Sequence, residues 1–137
     1  DIRNLHNHMV RTKSQIGTLA SKISDKNFFN KESVVKVVTN EKLDYNKFPI
    51  ALNFYRKEEK LNKNTYHHLG IYCFQIEVLK KFVSLNQTER EIENKLEQLR
   101  ALDNKININV GLASSSPVGV DTKEDFVAIK KIMEYKS

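Results

Sequence analysis

Three groups of side chains in this 137-residue chain have the types and spacing to hold a charged small molecule. The first is Arg56, just past the apolar run PIALNFY, with His67, His68 and Tyr72 in the stretch HHLGIYCF. In an extended segment, residues four apart point the same way, so His68 and Tyr72 share a face. In open α/β sheets ligands gather at strand ends, where Arg56 stands. An arginine fork pairs with a carboxylate, and histidine and tyrosine suit hydroxyls, so the set fits an anionic sugar. Taken alone, the residues favour a plainer arrangement, with histidines covering a strand edge and a core tyrosine whose hydroxyl is satisfied.

The second group is Glu97–Gln98 in KLEQLRAL. On a helical wheel Glu97 lies nearly opposite the stripe of Ile92, Leu96 and Leu99, and Gln98 flanks it. That is the ordinary position of a solvated pair, and a binding role requires the pair to turn toward a pocket or a second subunit. The third is Asp121 in SPVGVDTKED, in a tight loop between a strand and a helix. A carboxylate there fits one ligand position of a magnesium ion that keeps waters and bridges to phosphate. It fits equally well as a helix-start carboxylate stabilised by the helix dipole. Cys73, in the middle of an apolar run, reads as a buried core residue rather than a nucleophile.

The elements that must position these residues follow from periodicity. Residues 2–11 read as a short helix with Ile2, Leu5, Met9 and Val10 on one side. Strands are predicted over 16–23, 34–38, 49–55, 69–74 and 105–112, the last from the alternation of Ile106, Ile108, Val110 and Leu112. A helix spans about 77–83. The pattern Thr88-x-x-Glu91 is a capping box, and it opens a further helix running through Leu102. Thr122-x-x-Asp125 caps a last helix carrying Phe126, Ile129, Ile132 and Met133. Strands and helices interleave, which implies an α/β domain with a mixed sheet over residues 1–137, without an internal boundary.

Composition narrows the function classes. No apolar run approaches the roughly 18 residues of a membrane span. A single cysteine excludes an intrachain disulfide and Cys-rich zinc sites, and it points to a reduced, cytoplasmic setting. The net charge of +6 favours anionic partners. The lysines are spread along the whole chain, however, and no nucleic-acid-binding motif is present. Serine-triad, P-loop and HExxH patterns are absent too.

Read in order, six segments resemble one family, the 3-deoxy-manno-octulosonate (Kdo) cytidylyltransferases, or CMP-Kdo synthetases. HHLGIYCF resembles their R-H-I-G-I-Y-x-Y segment, KLEQLRALDN their L-E-Q-L-R-A-L-E-N helix, and PVGVDTKEDF their P-x-G-V-D-T-P-E-D-L close. IGTLASKI, SVVKVVTN and IALNFYRK match upstream segments in the same order. The resemblance implies a nucleotidyltransferase fold, Rossmann-like and of the nucleotide-diphospho-sugar transferase type. It implies a cytoplasmic, magnesium-dependent homodimer that couples CTP to Kdo, releasing pyrophosphate and supplying CMP-Kdo for lipopolysaccharide. By resemblance Asp121 is a catalytic magnesium ligand, His68, Tyr72, Glu97 and Gln98 contact the sugar, and Arg56 faces its carboxylate.

The chain also departs from the pattern. The family's A-R-x-x-S-x-R-x-x-x-K phosphate loop and Q-x-D segment have no counterpart here. The resemblance thus implies that this is the C-terminal, sugar-binding and dimer-forming half of a longer enzyme, inactive alone. A non-catalytic sugar-binding or assembly module derived from the family is the other reading. His67 stands where the family has arginine, Asn94 where it has glutamate, and RKEEKLNKN is short and proline-free. These changes leave open Kdo itself or a related octulosonic or nonulosonic acid.

Overall fold

A ten-residue strand, β4 (Thr65–Phe74), organises the domain. The computed structural model describes residues 2–23, 30–57, 63–113 and 128–130. Before β4 come helix α1 (Ile2–Thr12) and strands β1 (Ile16–Ser21), β2 (Lys36–Thr39) and β3 (Ala51–Tyr55). After it come helices α2 (Ile76–Ser84), α3 (Glu89–Asn94) and α4 (Gln98–Asp103), then β5 (Ile108–Leu112) and β6 (Ala128–Lys130). The sheet order is β3-β2-β4-β1-β5, with β6 also paired to β4. The β1–β5 pair is parallel and the others are antiparallel, so the sheet is mixed, as expected. One edge of β4 carries β1; the other carries β2 against residues 65–67 and β6 against residues 71–73.

The period of two sorts the side chains into two cores. Ile16, Ala20, Tyr66, Tyr72, Ile108 and Val110 face the helices after β4 and pack with Phe82, Leu96 and Leu99. Leu19, Leu69, Ile71 and Cys73 face the other way and pack under Leu5 and Met9 of α1. Gly17 lets α1 approach, because a Cβ there would come 2.6 Å from Met9 Sδ and 2.9 Å from Leu5 Cδ1. Lys13 ends α1 in the left-handed region, φ 54°, its N–H donating to the Met9 carbonyl at 2.9 Å.

Four expectations need correcting. The strand predicted over 69–74 starts at Thr65, so both histidines lie inside it rather than before it. Val10 is 64% exposed, and His8 takes its place on the buried stripe of α1. The helix predicted from the capping box to Leu102 is two helices. Lys95 breaks it at φ 55° and ψ 45°, so Leu96 and Leu99 reach the core while Ile92 stays 47% exposed. Finally, Ala128–Lys130, inside the predicted last helix, pairs as a strand with Ile71–Cys73. Ladder hydrogen bonds to a strand edge outweighed the helical spacing of the apolar residues there.

Candidate functional site

His68 and Tyr72 stand on the helix-covered face of β4 with ring centroids 5.3 Å apart. Both are buried. They belong to a file of rings: Phe54 meets His68 edge-on at 4.9 Å, and Tyr72 continues to Phe74 at 6.2 Å and Phe82 at 5.9 Å from Phe74. The pairing of β1 and β4 jumps beside them. Thr18 is opposite Tyr72, but its neighbour Leu19 is opposite Leu69. Two extra residues, Gly70 and Ile71, thus sit in β4 at this step. An insertion of two keeps the alternation in phase, so His68 and Tyr72 still share a face.

Burial, with a smaller push from His67, lowers the His68 imidazole to about 3. The ring is therefore neutral at physiological pH. Burial also pushes the Tyr72 phenol up, and the nearby Glu97 carboxylate adds to this. Tyr72 thus remains a protonated donor, and Glu97 is close enough for its charge to act on it. His67, next in the strand, faces the opposite side and is only half-buried. It stands opposite Lys36 in register, and burial together with the Lys36 charge lowers its pKa. The Lys36 side chain is fully buried and donates to the carbonyls of Lys31, at 2.8 Å, and Arg56.

Glu97 and Gln98 enter from the α3–α4 turn. Gln98 is buried, contrary to the solvated position its helical wheel predicts, because the break at Lys95 rotates α4 relative to α3. Three sets of interactions fix that turn. Thr88 and Glu91 form the expected capping box, with Thr88 N–H donating to Glu91 Oε1 at 3.1 Å and Glu91 N–H to Thr88 Oγ1 at 3.2 Å. The fully buried Glu91 carboxylate also takes a fork from Arg100, Nε to Oε1 at 2.8 Å and Nη2 to Oε2 at 2.5 Å. The same guanidinium lies 5.0 Å over the Phe82 ring, which ties the turn to the ring file. Arg56 supplies the third set, donating to the carbonyls of Asn94 at 3.2 Å, Lys95 at 3.1 Å and Glu32 at 3.3 Å.

Of the predicted residues, His68, Tyr72 and Glu97 are brought together. The strand supplies His68 and Tyr72, the turn supplies Glu97 and Gln98, and Arg56 grips the turn two residues before Glu97. Asp121 lies outside the described residues. Cys73 is a free buried thiol on the opposite face, pushed up by burial to about 11, which suits a core residue. Among the described residues no group of three or more His, Cys, Asp or Glu side chains is placed to hold a metal ion. Among them, too, no helix is long and apolar enough to cross a membrane. Sequence reasoning missed Thr18, Glu91 and Arg100 as parts of the site's frame. Glu91 and Arg100 are nine apart, a spacing that makes no pair on one continuous helix, and only the break brings them together.

The fold is that of a nucleotidyltransferase-like α/β domain. The chain belongs to the cytidylyltransferase family, whose family model matches residues 1–108. The 3-deoxy-manno-octulosonate cytidylyltransferase of Bartonella henselae is 37% identical over 133 residues, covering 96% of this chain and 52% of that protein. The enzyme of the same name from Thermodesulfovibrio yellowstonii is 36% identical over 130 residues, covering 91% and 51% respectively. A solved structure of CMP:2-keto-3-deoxy-manno-octonic acid synthetase complexed with CTP superposes with a TM-score of 0.72. It is 30% identical, and the match covers 89% of this chain and 50% of that one. The chain spans about half the length of the curated relatives it matches.

Proposed function

We propose that this chain forms the acid-sugar side of an enzyme that transfers a cytidylyl group from CTP to Kdo or a close relative. In this reaction the anomeric hydroxyl of the sugar attacks the α-phosphorus of CTP. A new oxygen–phosphorus bond forms, the bond to the bridging oxygen of pyrophosphate breaks, and the hydroxyl proton is released. The observation that carries this reading is the convergence of His68, Tyr72 and Glu97. His68 and Tyr72 are 5.3 Å apart, and the Glu97 charge acts on the Tyr72 phenol. A neutral imidazole, a protonated phenol, a carboxylate and a buried amide together suit a ligand rich in hydroxyls. Arg56 complements the sugar's carboxylate with the two N–H groups its three carbonyl contacts leave over.

The relatives' names and the match to residues 1–108 support CTP as the nucleotide. Magnesium, when bound, would offset charge on the CTP phosphates, with Asp121 as one ligand. That assignment rests on the likeness of PVGVDTKEDF to the family's closing segment. Magnesium commonly takes one or two carboxylates and completes its shell with phosphate and water, so it needs no larger cage from these residues. Cytoplasmic, homodimeric action and supply of CMP-Kdo to lipopolysaccharide assembly complete the reading.

The test is pyrophosphate release by the full-length protein supplied with CTP, Kdo and magnesium. Release that requires Kdo, and that falls at least about 100-fold in Asp121→Asn, is expected, in line with loss of charge stabilisation at a transferring phosphoryl group. No release from a folded protein would overturn the enzymatic reading; Kdo binding without release would make the chain a sugar-binding module.

A further inference from the structure

Thr18 lies on β1 in the IGTLASKI segment, is fully buried, and is far in sequence from every residue assigned to the site. Its hydroxyl fills the irregularity where β4 carries two extra residues. Three groups surround Oγ1: the Ile71 carbonyl at 2.6 Å, the Leu69 carbonyl at 3.3 Å, and His68 Nε2 at 2.9 Å. A hydroxyl has one proton to give and lone pairs to accept with. Carbonyl oxygens only accept, and the Ile71 carbonyl is the nearest of the three groups. The Thr18 proton therefore goes to Ile71. His68 Nε2 then satisfies itself only as the donor, giving its N–H to Oγ1.

A neutral imidazole with its proton on Nε2 has a lone pair on Nδ1. The alternative tautomer would set the Nε2 lone pair against a hydroxyl oxygen whose proton is already committed. Protonation of the ring is opposed by burial, which is consistent with the neutral state. The ring plane is further restrained by Phe54 edge-on at 4.9 Å and Tyr72 at 5.3 Å.

We propose that Thr18 is a positioning residue for the sugar site: its hydroxyl locks His68 as the Nε2–H tautomer, so that His68 offers Nδ1 as an acceptor to a sugar hydroxyl. The ligand-side half of this statement rests on the sugar-binding reading of His68 given above; the tautomer half does not. A locked acceptor selects a hydroxyl at that point of the ligand. It disfavours a carboxylate oxygen, which would place two lone pairs against each other. Carboxylate recognition is thereby left to Arg56.

The experiment is histidine-selective 15N NMR on the full-length protein, combined with Kdo titration of the wild type, Thr18→Val and Thr18→Ser. In the unmodified protein His68 should show a protonated Nε2 and an unprotonated Nδ1. Thr18→Ser keeps the hydroxyl and should keep both resonances, with Kdo affinity within about two-fold. Thr18→Val removes the hydroxyl and should shift the Nε2 resonance and weaken Kdo binding about ten-fold, equivalent to roughly 1.4 kcal/mol. A protonated Nδ1 in the wild type would overturn the proposal with no variant needed. So would an unchanged His68 spectrum in a folded Thr18→Val protein. If the tautomer is as stated but no variant binds Kdo differently from wild type, the sugar reading fails while the lock stands.

Discussion

His68 and Tyr72 reach the candidate site from a strand hydrogen-bonded along both edges, whereas Glu97 and Gln98 reach it from a turn held by side chains. The strand half is over-determined. β4 pairs with β1 on one side and with β2 and β6 on the other, and Thr18 plugs its one irregularity. The turn half depends on a few charged groups, namely the Glu91–Arg100 fork and the Arg56 contacts to the Asn94 and Lys95 carbonyls. Backbone ladders spread their stability over many bonds, while a buried ion pair concentrates it in one. The two halves should therefore fail differently.

The largest effect is expected at the turn. Glu91→Ala strands the Arg100 guanidinium, whose side chain is only 11% exposed, and removes half of the capping box. A loss of about 3–5 kcal/mol in denaturant unfolding is expected, as for an uncompensated buried charge. Amide exchange should accelerate over residues 88–104 before it does over 65–74. Uniform acceleration across both would show that the halves are one cooperative unit.

A pH titration should reach the strand half instead. The folded His68 pKa is lowered from 6.5 to about 3. Below pH 6.5 the unfolded chain gains a proton that the folded chain refuses, so stability is lost as pH falls through this window. From His68 alone the loss at pH 5 relative to neutrality is about 2 kcal/mol. His8 and His67, also lowered by burial, act in the same direction. Thermal melts of His68→Gln should show a visibly flatter acid limb, and an unchanged limb would remove His68 as the source.

The smallest effect has the opposite sign. Lys95 adopts a left-handed conformation, which costs a residue with a Cβ about 1 kcal/mol. Lys95→Gly should raise stability by about 0.5–1 kcal/mol, as read from the melting curve.

The same contrast governs what the sequence discloses. The shared face of His68 and Tyr72 follows from a period of two, and the two inserted residues preserve that parity, so the strand half is legible without coordinates. The capping box at Thr88 is likewise local. The turn is not, because Lys95 is neither glycine nor asparagine and carries no sign of a left-handed residue. What bends the chain there is the burial of Leu96 together with Arg56 and Arg100, contacts made at separations of 38, 39 and 9 residues. The Thr18–His68 bond, at a separation of 50, is equally hidden in a strand whose pattern only says buried. The three-residue strand β6 defeats its helical spacing because an open stretch of β4 edge is available to pair with it.

The central claim is that strand and turn form one acid-sugar site, and a double-mutant cycle on Kdo binding tests it most directly. Tyr72→Phe and Glu97→Gln each keep side-chain shape and remove a hydroxyl or a charge. In the folded full-length protein, calorimetry should show each single variant binding Kdo about ten-fold more weakly. The double variant should lose less than the sum of the two, as expected for groups that share a ligand. Kdo affinity within two-fold of wild type in both single variants, with melting curves unchanged, would contradict the account.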